Sequence, residues 1–182
     1  MKQNFNPYSE NLIFFDTEFS SNNPNEGEII SLAMIKMDGS ELYLELEFDG
    51  EVHNWVKSNV LPFLTGKKVN KEDAKKKILE FIGDHPRSEK PFLVTYVNQF
   101  DFVYLMKILD YYNSPFQPIP IDFASILFAL GINPDEYKQR LDHKLMSDLK
   151  IDISKYRIHH ALDDARLLKE VFIRLQEGSK DK

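Results

Sequence analysis

The hydrophobic pattern changes period along the chain. Leu12-Ile13-Phe14-Phe15 is an unbroken apolar run ending in Asp16-Thr17-Glu18, and such a run reads as a buried strand. Residues 28–37 and 41–48 read as two further strands, joined by the Asp38-Gly39 turn into a hairpin. In the second of them Leu42, Leu44, Leu46 and Phe48 alternate with Tyr43, Glu45 and Glu47, which predicts one wet face. The period then becomes helical. Ala74, Ile78 and Phe81 form a stripe, with Asn70 as N-cap, Asp73 at the capping-box position and Gly83 as the stop. Residues 92–97 read as another strand, followed by an apolar helix containing Phe102, Leu105, Met106 and Leu109. Pro115, Pro118 and Pro120 break the chain ahead of a helix near residues 122–130. Residues 133–155 carry little periodicity and read as short helices and loop. Ala161, Ala165, Leu168, Phe172 and Leu175 recur at helical spacing and mark a last helix, and residues 177–182 read as a frayed tail. Early strands followed by alternating helices and strands predict an α/β chain, a mixed sheet flanked by helices. The 182 residues are read as one domain, with its core over about 12–176.

Four acids and a histidine stand out against this pattern. Alternate strand residues share a face, so Asp16 and Glu18 project the same way, with Cα atoms about 7 Å apart. Two acids on one side of a buried strand repel each other and are costly to desolvate. A divalent cation removes that cost, and hard cations such as Mg²⁺ and Mn²⁺ prefer carboxylate oxygens. A strand end running into solvent is the plainer account of D-x-E taken alone. The last helix opens on His159-His160-Ala161-Leu162-Asp163-Asp164-Ala165. Asp164 lies three residues after Ala161 and four before Leu168, so it borders the inward face. Asp163, rotated by about 100°, points outward to solvent. His159 stands at the start of this helix and is a candidate general base, because histidine titrates near neutral pH. Asp101 follows the strand at 92–97. It either caps the next helix or serves at the carboxyl end of a strand, where open α/β sheets place their ligands. Phe19 is read as a core or partly exposed aromatic, with stacking on a terminal base as the alternative. Lys75-Lys76-Lys77 reads as the solvated face of its helix, with contact to phosphates as the alternative.

Composition narrows the classes. With 42 % apolar residues, global disorder is excluded, and no apolar run reaches the length of a membrane span. Met1-Lys2-Gln3-Asn4-Phe5-Asn6-Pro7 lacks an apolar signal core, which argues against secretion. The absence of cysteine excludes disulfides and thiolate metal sites; a cytoplasmic location is expected. A net charge of −6 argues against a tight, non-specific nucleic-acid binder.

Taken together and in this order, three segments resemble the Exo I, Exo II and Exo III motifs of the DEDDh 3′–5′ exonucleases. Asp16-Thr17-Glu18 matches D-x-E. Phe100-Asp101-Phe102-Val103-Tyr104-Leu105 resembles F-D-x-x-F/Y-L, and His159 to Ala165 matches H-x-A-x-x-D-A. A histidine five residues before the last acid marks the DEDDh branch; the tyrosine branch has its tyrosine four before, where this chain has His160. Many members carry an asparagine where Val97 stands here, with Asn98 beside it. Asp16-Thr17-Glu18-Phe19, Glu28-Ile29-Ile30-Ser31-Leu32 and Asn54-Trp55-Val56-Lys57-Ser58-Asn59-Val60-Leu61-Pro62 are similar to a small bacterial exoribonuclease family typified by a mycobacterial enzyme.

The resemblance implies a ribonuclease H-like fold, with three N-terminal antiparallel strands plus parallel strands. It implies that Asp16, Glu18, Asp101 and Asp164 hold two Mg²⁺ or Mn²⁺ ions per site and that His159 is the base. The implied activity is 3′–5′ hydrolysis of single-stranded RNA to nucleoside 5′-monophosphates. The acidic surface points to a shallow site for short or single-stranded 3′ ends. Expected partners are those ends and no membrane, with a homodimer left open. A DNA 3′–5′ exonuclease and a catalytically silent nucleic-acid or protein binder of the same fold stay open as alternatives.

Overall fold

A computed structural model of the chain describes residues 5–135, 137 and 144–180. Five strands form one sheet: β1 (Leu12–Phe19), β2 (Ile29–Lys36), β3 (Glu41–Glu45), β4 (Phe92–Thr95) and β5 (Ile121–Asp122), in the order β3-β2-β1-β4-β5. The β1–β2 and β2–β3 pairs are antiparallel, and β1–β4 and β4–β5 are parallel. Among the described residues the α-helices are α1 (Asn54–Asn59), α2 (Lys71–Ile82), α3 (Asn98–Met106), α4 (Phe123–Ala129), α5 (Lys144–Asp148) and α6 (Ala161–Lys180). The expected mixed sheet flanked by helices is what forms.

The period-two alternation of the central strands sends side chains into two cores. Leu12, Phe14, Ala33 and Ile35 pack with Phe123 and Leu127 of α4 and with Ala161, Ala165, Leu168 and Phe172 of α6. Ile13, Phe15, Leu32 and Met34 pack on the other face, with Ala74, Ile78 and Ile82 of α2 and Tyr104 and Leu105 of α3. The unbroken apolar run of β1 is explained by this double burial. A third, smaller cluster of Ile30, Val56 and Val60 seats α1 and the turn Leu61–Phe63. The punctuation works as read: the Asn70 side chain accepts from the Asp73 amide at 2.9 Å, and Gly39 and Gly83 take positive φ. Among the described residues no helix is long and apolar enough to cross a membrane.

The wet face expected of residues 41–48 holds at Glu47, which is exposed, and is corrected at Glu45. The strand stops at Glu45, Tyr43 is half-buried and Glu45 is only 3 % exposed. Glu45 Oε1 accepts from the Thr65 and Gly66 amides, both at 2.9 Å, and from the Tyr43 hydroxyl at 3.1 Å. These bonds replace the water that strand alternation had led one to expect. At the other end α6 runs on to Lys180, within the stretch read as the tail. Residues 181–182, and residues 136 and 138–143 of the stretch read as short helices and loop, lie outside the described residues.

One cross-link fixes α6 over the sheet edge. Arg166 Nε and Nη2 donate to Glu41 Oε1 and Oε2 at 2.9 and 2.6 Å. The Arg166 bond holds the Glu41 carboxyl below its usual range. A depressed folded-state pKa means stability that is present above the unfolded carboxylate value and lost as pH falls through the folded one. Both side chains are partly exposed, so Glu41→Gln is expected to cost no more than about 1 kcal/mol at pH 7. Urea titrations at pH 7 and pH 3 check this, with the difference between variant and wild type shrinking at the lower pH.

Candidate active site

The sheet splits where the acids gather. β4 pairs with β1 only through Leu12, Ile13 and Phe14, whereas β1 continues to Phe19 beside β2. Past Phe14 the open edge of β1 faces the start of α3. There Asp101 takes the place of a strand: the Thr17 amide and hydroxyl both donate to Asp101 Oδ1, at 3.1 and 2.8 Å. Asp101 is not the cap of α3. The helix begins at Asn98 with Val97 in the cap position, which leaves Asp101 within the first turn.

Asp16 and Glu18 lie on the face shared with Leu12 and Phe14, the face that α6 covers. In register they stand opposite Ala33 and Ser31, two small residues that leave room beside them, and β1 bulges directly after Glu18. Asp164, on the first turn of α6, comes down from the helix. Asp16, Glu18, Asp101 and Asp164 are 4, 8, 7 and 1 % exposed, so four carboxylates are buried where β1, α3 and α6 meet.

The segment leading into α6 is held by the acids of its first turn. Asp164 Oδ2 accepts from the His159 amide at 3.1 Å, and Asp163 Oδ2 accepts from the Arg157 amide at 3.3 Å. Asp163 also meets Arg166 at 3.1 Å and His160 at 3.5 Å. It is therefore an organiser of this turn, and the expectation of a purely solvated side chain is corrected. His159 has φ +65°, a left-handed backbone that non-glycine residues adopt at a cost of about 1–3 kcal/mol and that clusters at functional sites. Its ring lies among the acids. Ligand atoms of Glu18, His159 and Asp164 all fall within 4.8 Å of one another. The ring of Trp55 on α1 meets the imidazole edge-on, with centroids 4.7 Å apart. His160 turns elsewhere, its ring 5.0 Å from that of Tyr43.

All five residues expected from the sequence, Asp16, Glu18, Asp101, His159 and Asp164, line one cavity of about 790 Å³. His53 and Tyr96 were not foreseen, and Trp55 and Phe100, though they lie in segments that carry the resemblance, had been given no place in the site. A six-residue helix leaves no readable period, so α1 and its wall escape pattern analysis. The available signals were the resemblance of the segment from Asn54 to Pro62 and the fact that Trp55 is the only tryptophan in the chain. Phe19 lines the cavity but stacks on Tyr104, with centroids 4.6 Å apart and planes 6° from parallel. Burial pushes the Tyr104 hydroxyl up to about 12, and the hydroxyl donates to the Ser21 carbonyl. Phe19 is thus part of a packed aromatic wall. Val97 lines the cavity, whereas Asn98 staples the β4–α3 turn to the loop before β5 through Thr95 and the Pro120 carbonyl.

Compared with known proteins, the chain matches no family model and no curated sequence. The chemistry therefore rests on the geometry. Four buried carboxylates line the cavity, and among the described residues no lysine or arginine does. Of the five expected residues, Glu18, His159 and Asp164 bring ligand atoms close enough to share a metal ion, and Asp16 and Asp101 line the same cavity outside that group.

Proposed function

We propose that this chain is a metal-dependent 3′–5′ exoribonuclease of the DEDDh type with a ribonuclease H-like fold, acting in the cytoplasm on single-stranded RNA ends. The observation that carries this reading is the meeting of Asp16, Glu18, Asp101, Asp164 and His159 in one cavity, from elements at opposite ends of the chain. The mixed five-stranded sheet is compatible with that fold.

Asp16, Glu18, Asp101 and Asp164 are the residues that would hold two Mg²⁺ or Mn²⁺ ions. When bound, such ions supply Lewis-acid charge to the scissile phosphate and the leaving oxygen. The rest of the work falls to side chains. His159 takes a proton from the attacking water as the water oxygen bonds to phosphorus. The bond from phosphorus to the 3′-oxygen of the preceding nucleotide breaks, and that oxygen leaves with a proton from solvent. The product is a nucleoside 5′-monophosphate. Trp55 holds the imidazole edge-on, and the bonds from Thr17 fix Asp101. The cavity volume falls in the range of small-ligand sites, enough for a terminal nucleotide.

The deciding experiment uses 5′-labelled RNA and DNA of matched sequence with Mg²⁺, Mn²⁺ or EDTA. Single-stranded RNA with a free 3′-hydroxyl should shorten as a ladder from the 3′ end, faster than blunt duplex of either kind. The acidic chain offers a duplex few cations. Faster digestion of DNA would move the assignment to a DNA exonuclease, and no metal-dependent ladder on either substrate would sink the reading.

A further inference from the structure

Among the described residues no lysine or arginine lines the cavity, so no fixed cation there faces the phosphate upstream of the scissile one. Its charged lining is four carboxylates, and its two histidines are His53 and His159. The whole chain carries a net charge of −6. An RNA strand brings one negative charge per nucleotide, so a cation at the rim is needed.

Arg157 meets that need. It stands two residues before His159, and its amide is fixed by Asp163 Oδ2. Its guanidinium lies over the ring of Phe63, 4.9 Å from the centroid. Phe63 belongs to the turn that follows α1, and Trp55 and Val56 of α1 line the cavity. The side chain is thus bracketed by the two segments that meet at His159 and Trp55. It is exposed, and among the described residues it pairs with no carboxylate. Arg166 and Arg174 behave otherwise: the first is committed to Glu41 and Asp163, the second to Glu170 and Glu177. A guanidinium stacked on a ring keeps its in-plane donors open, and that planar fork matches two phosphate oxygens. Its position is already set before substrate arrives, which lowers the entropy lost on binding.

We propose that Arg157, seated on Phe63, binds the backbone phosphate immediately upstream of the scissile one and thereby makes oligoribonucleotides better substrates than single-phosphate esters. This rests on the exoribonuclease reading above. Two substrates separate the two claims: an RNA pentamer, and the p-nitrophenyl ester of uridine 5′-monophosphate, which has a scissile phosphate and no other. Wild-type turnover of both tests the chemistry; if neither is hydrolysed, the nuclease reading falls and this inference with it.

With Arg157→Ala, KM for the pentamer should rise about 10- to 100-fold, the usual worth of a charge-assisted bond, at unchanged kcat. Hydrolysis of the ester should not change. The slope of log kcat/KM against log salt for the pentamer should become shallower by about 0.7, the value of one single-strand phosphate contact. Arg157→Lys, which keeps the charge without the fork, should restore the salt slope and only part of the KM. Equal losses on pentamer and ester would overturn the proposal, showing that Arg157 only braces the turn before α6. An unchanged KM for the pentamer would overturn it as well. Thermal melts of both variants separate these outcomes from misfolding.

Discussion

On the proposed exoribonuclease reading, Asp164→Asn should abolish RNA hydrolysis and Asp163→Asn should leave most of it, the largest difference expected between two adjacent substitutions. Asp164 is almost fully buried in the acid cluster, with its carboxylate close to Glu18 and His159. Asparagine has the same shape and keeps an acceptor for the His159 amide, so the fold should hold. What is lost is a negative charge from a set of four. Metal affinity by calorimetry should fall along with kcat. The metal-free variant should be as stable as wild type or more so, because one like-charge repulsion is gone. Asp16→Ala should behave in the same way. Asp163, by contrast, faces Arg166 and His160 away from the cavity. Losing that partly exposed pair should cost about 0–1 kcal/mol of stability and little rate. Equal losses at 163 and 164, or full activity in EDTA, would show the acid cluster to be something other than the metal-binding centre of a nuclease.

His159→Ala should lower kcat by about 10²–10⁴-fold, the usual range for a lost general base, and His160→Ala should be mild. Adjacent side chains diverge by about 100° within a helix, but both histidines precede α6 and His159 has φ +65°, so it is the turn and not helical spacing that parts their rings. The ring of His159 is among the acids and against Trp55, and that of His160 is on Tyr43. The closeness of the His159 imidazole to Glu18 and Asp164 sharpens the test. A base that only moves a proton leaves metal affinity nearly unchanged. Should His159→Ala weaken Mn²⁺ binding as much as Asp164→Asn does, the imidazole is a ligand and the proton must go elsewhere. A larger kcat loss from His160→Ala would reverse the assignment within this turn.

Much of this site was legible in the residues because each inference concerned a single element. A two-residue period puts Asp16 and Glu18 on one face whatever surrounds the strand. A 3.6-residue period, phased by Ala161, Ala165 and Leu168, turns Asp164 inward. Caps and turns act within a few residues, so Asn70, Gly39 and Gly83 were equally readable. What only the tertiary structure decided are the places where two elements compete for the same group. Asp101 looked like a helix cap; it serves the edge of β1 because β4 ends too early to pair there. Glu45 sits in a strand phase that predicts water, yet two amides from a loop some twenty residues later bury it. Trp55 comes from a helix too short to show a period and gains its place by packing against His159. The left-handed φ of His159 is set by the bond from its amide to Asp164 and by the turn into α6. Local periodicity reports which side of an element faces inward, but contacts across long sequence separations determine what that side meets, and no spacing within one element encodes them.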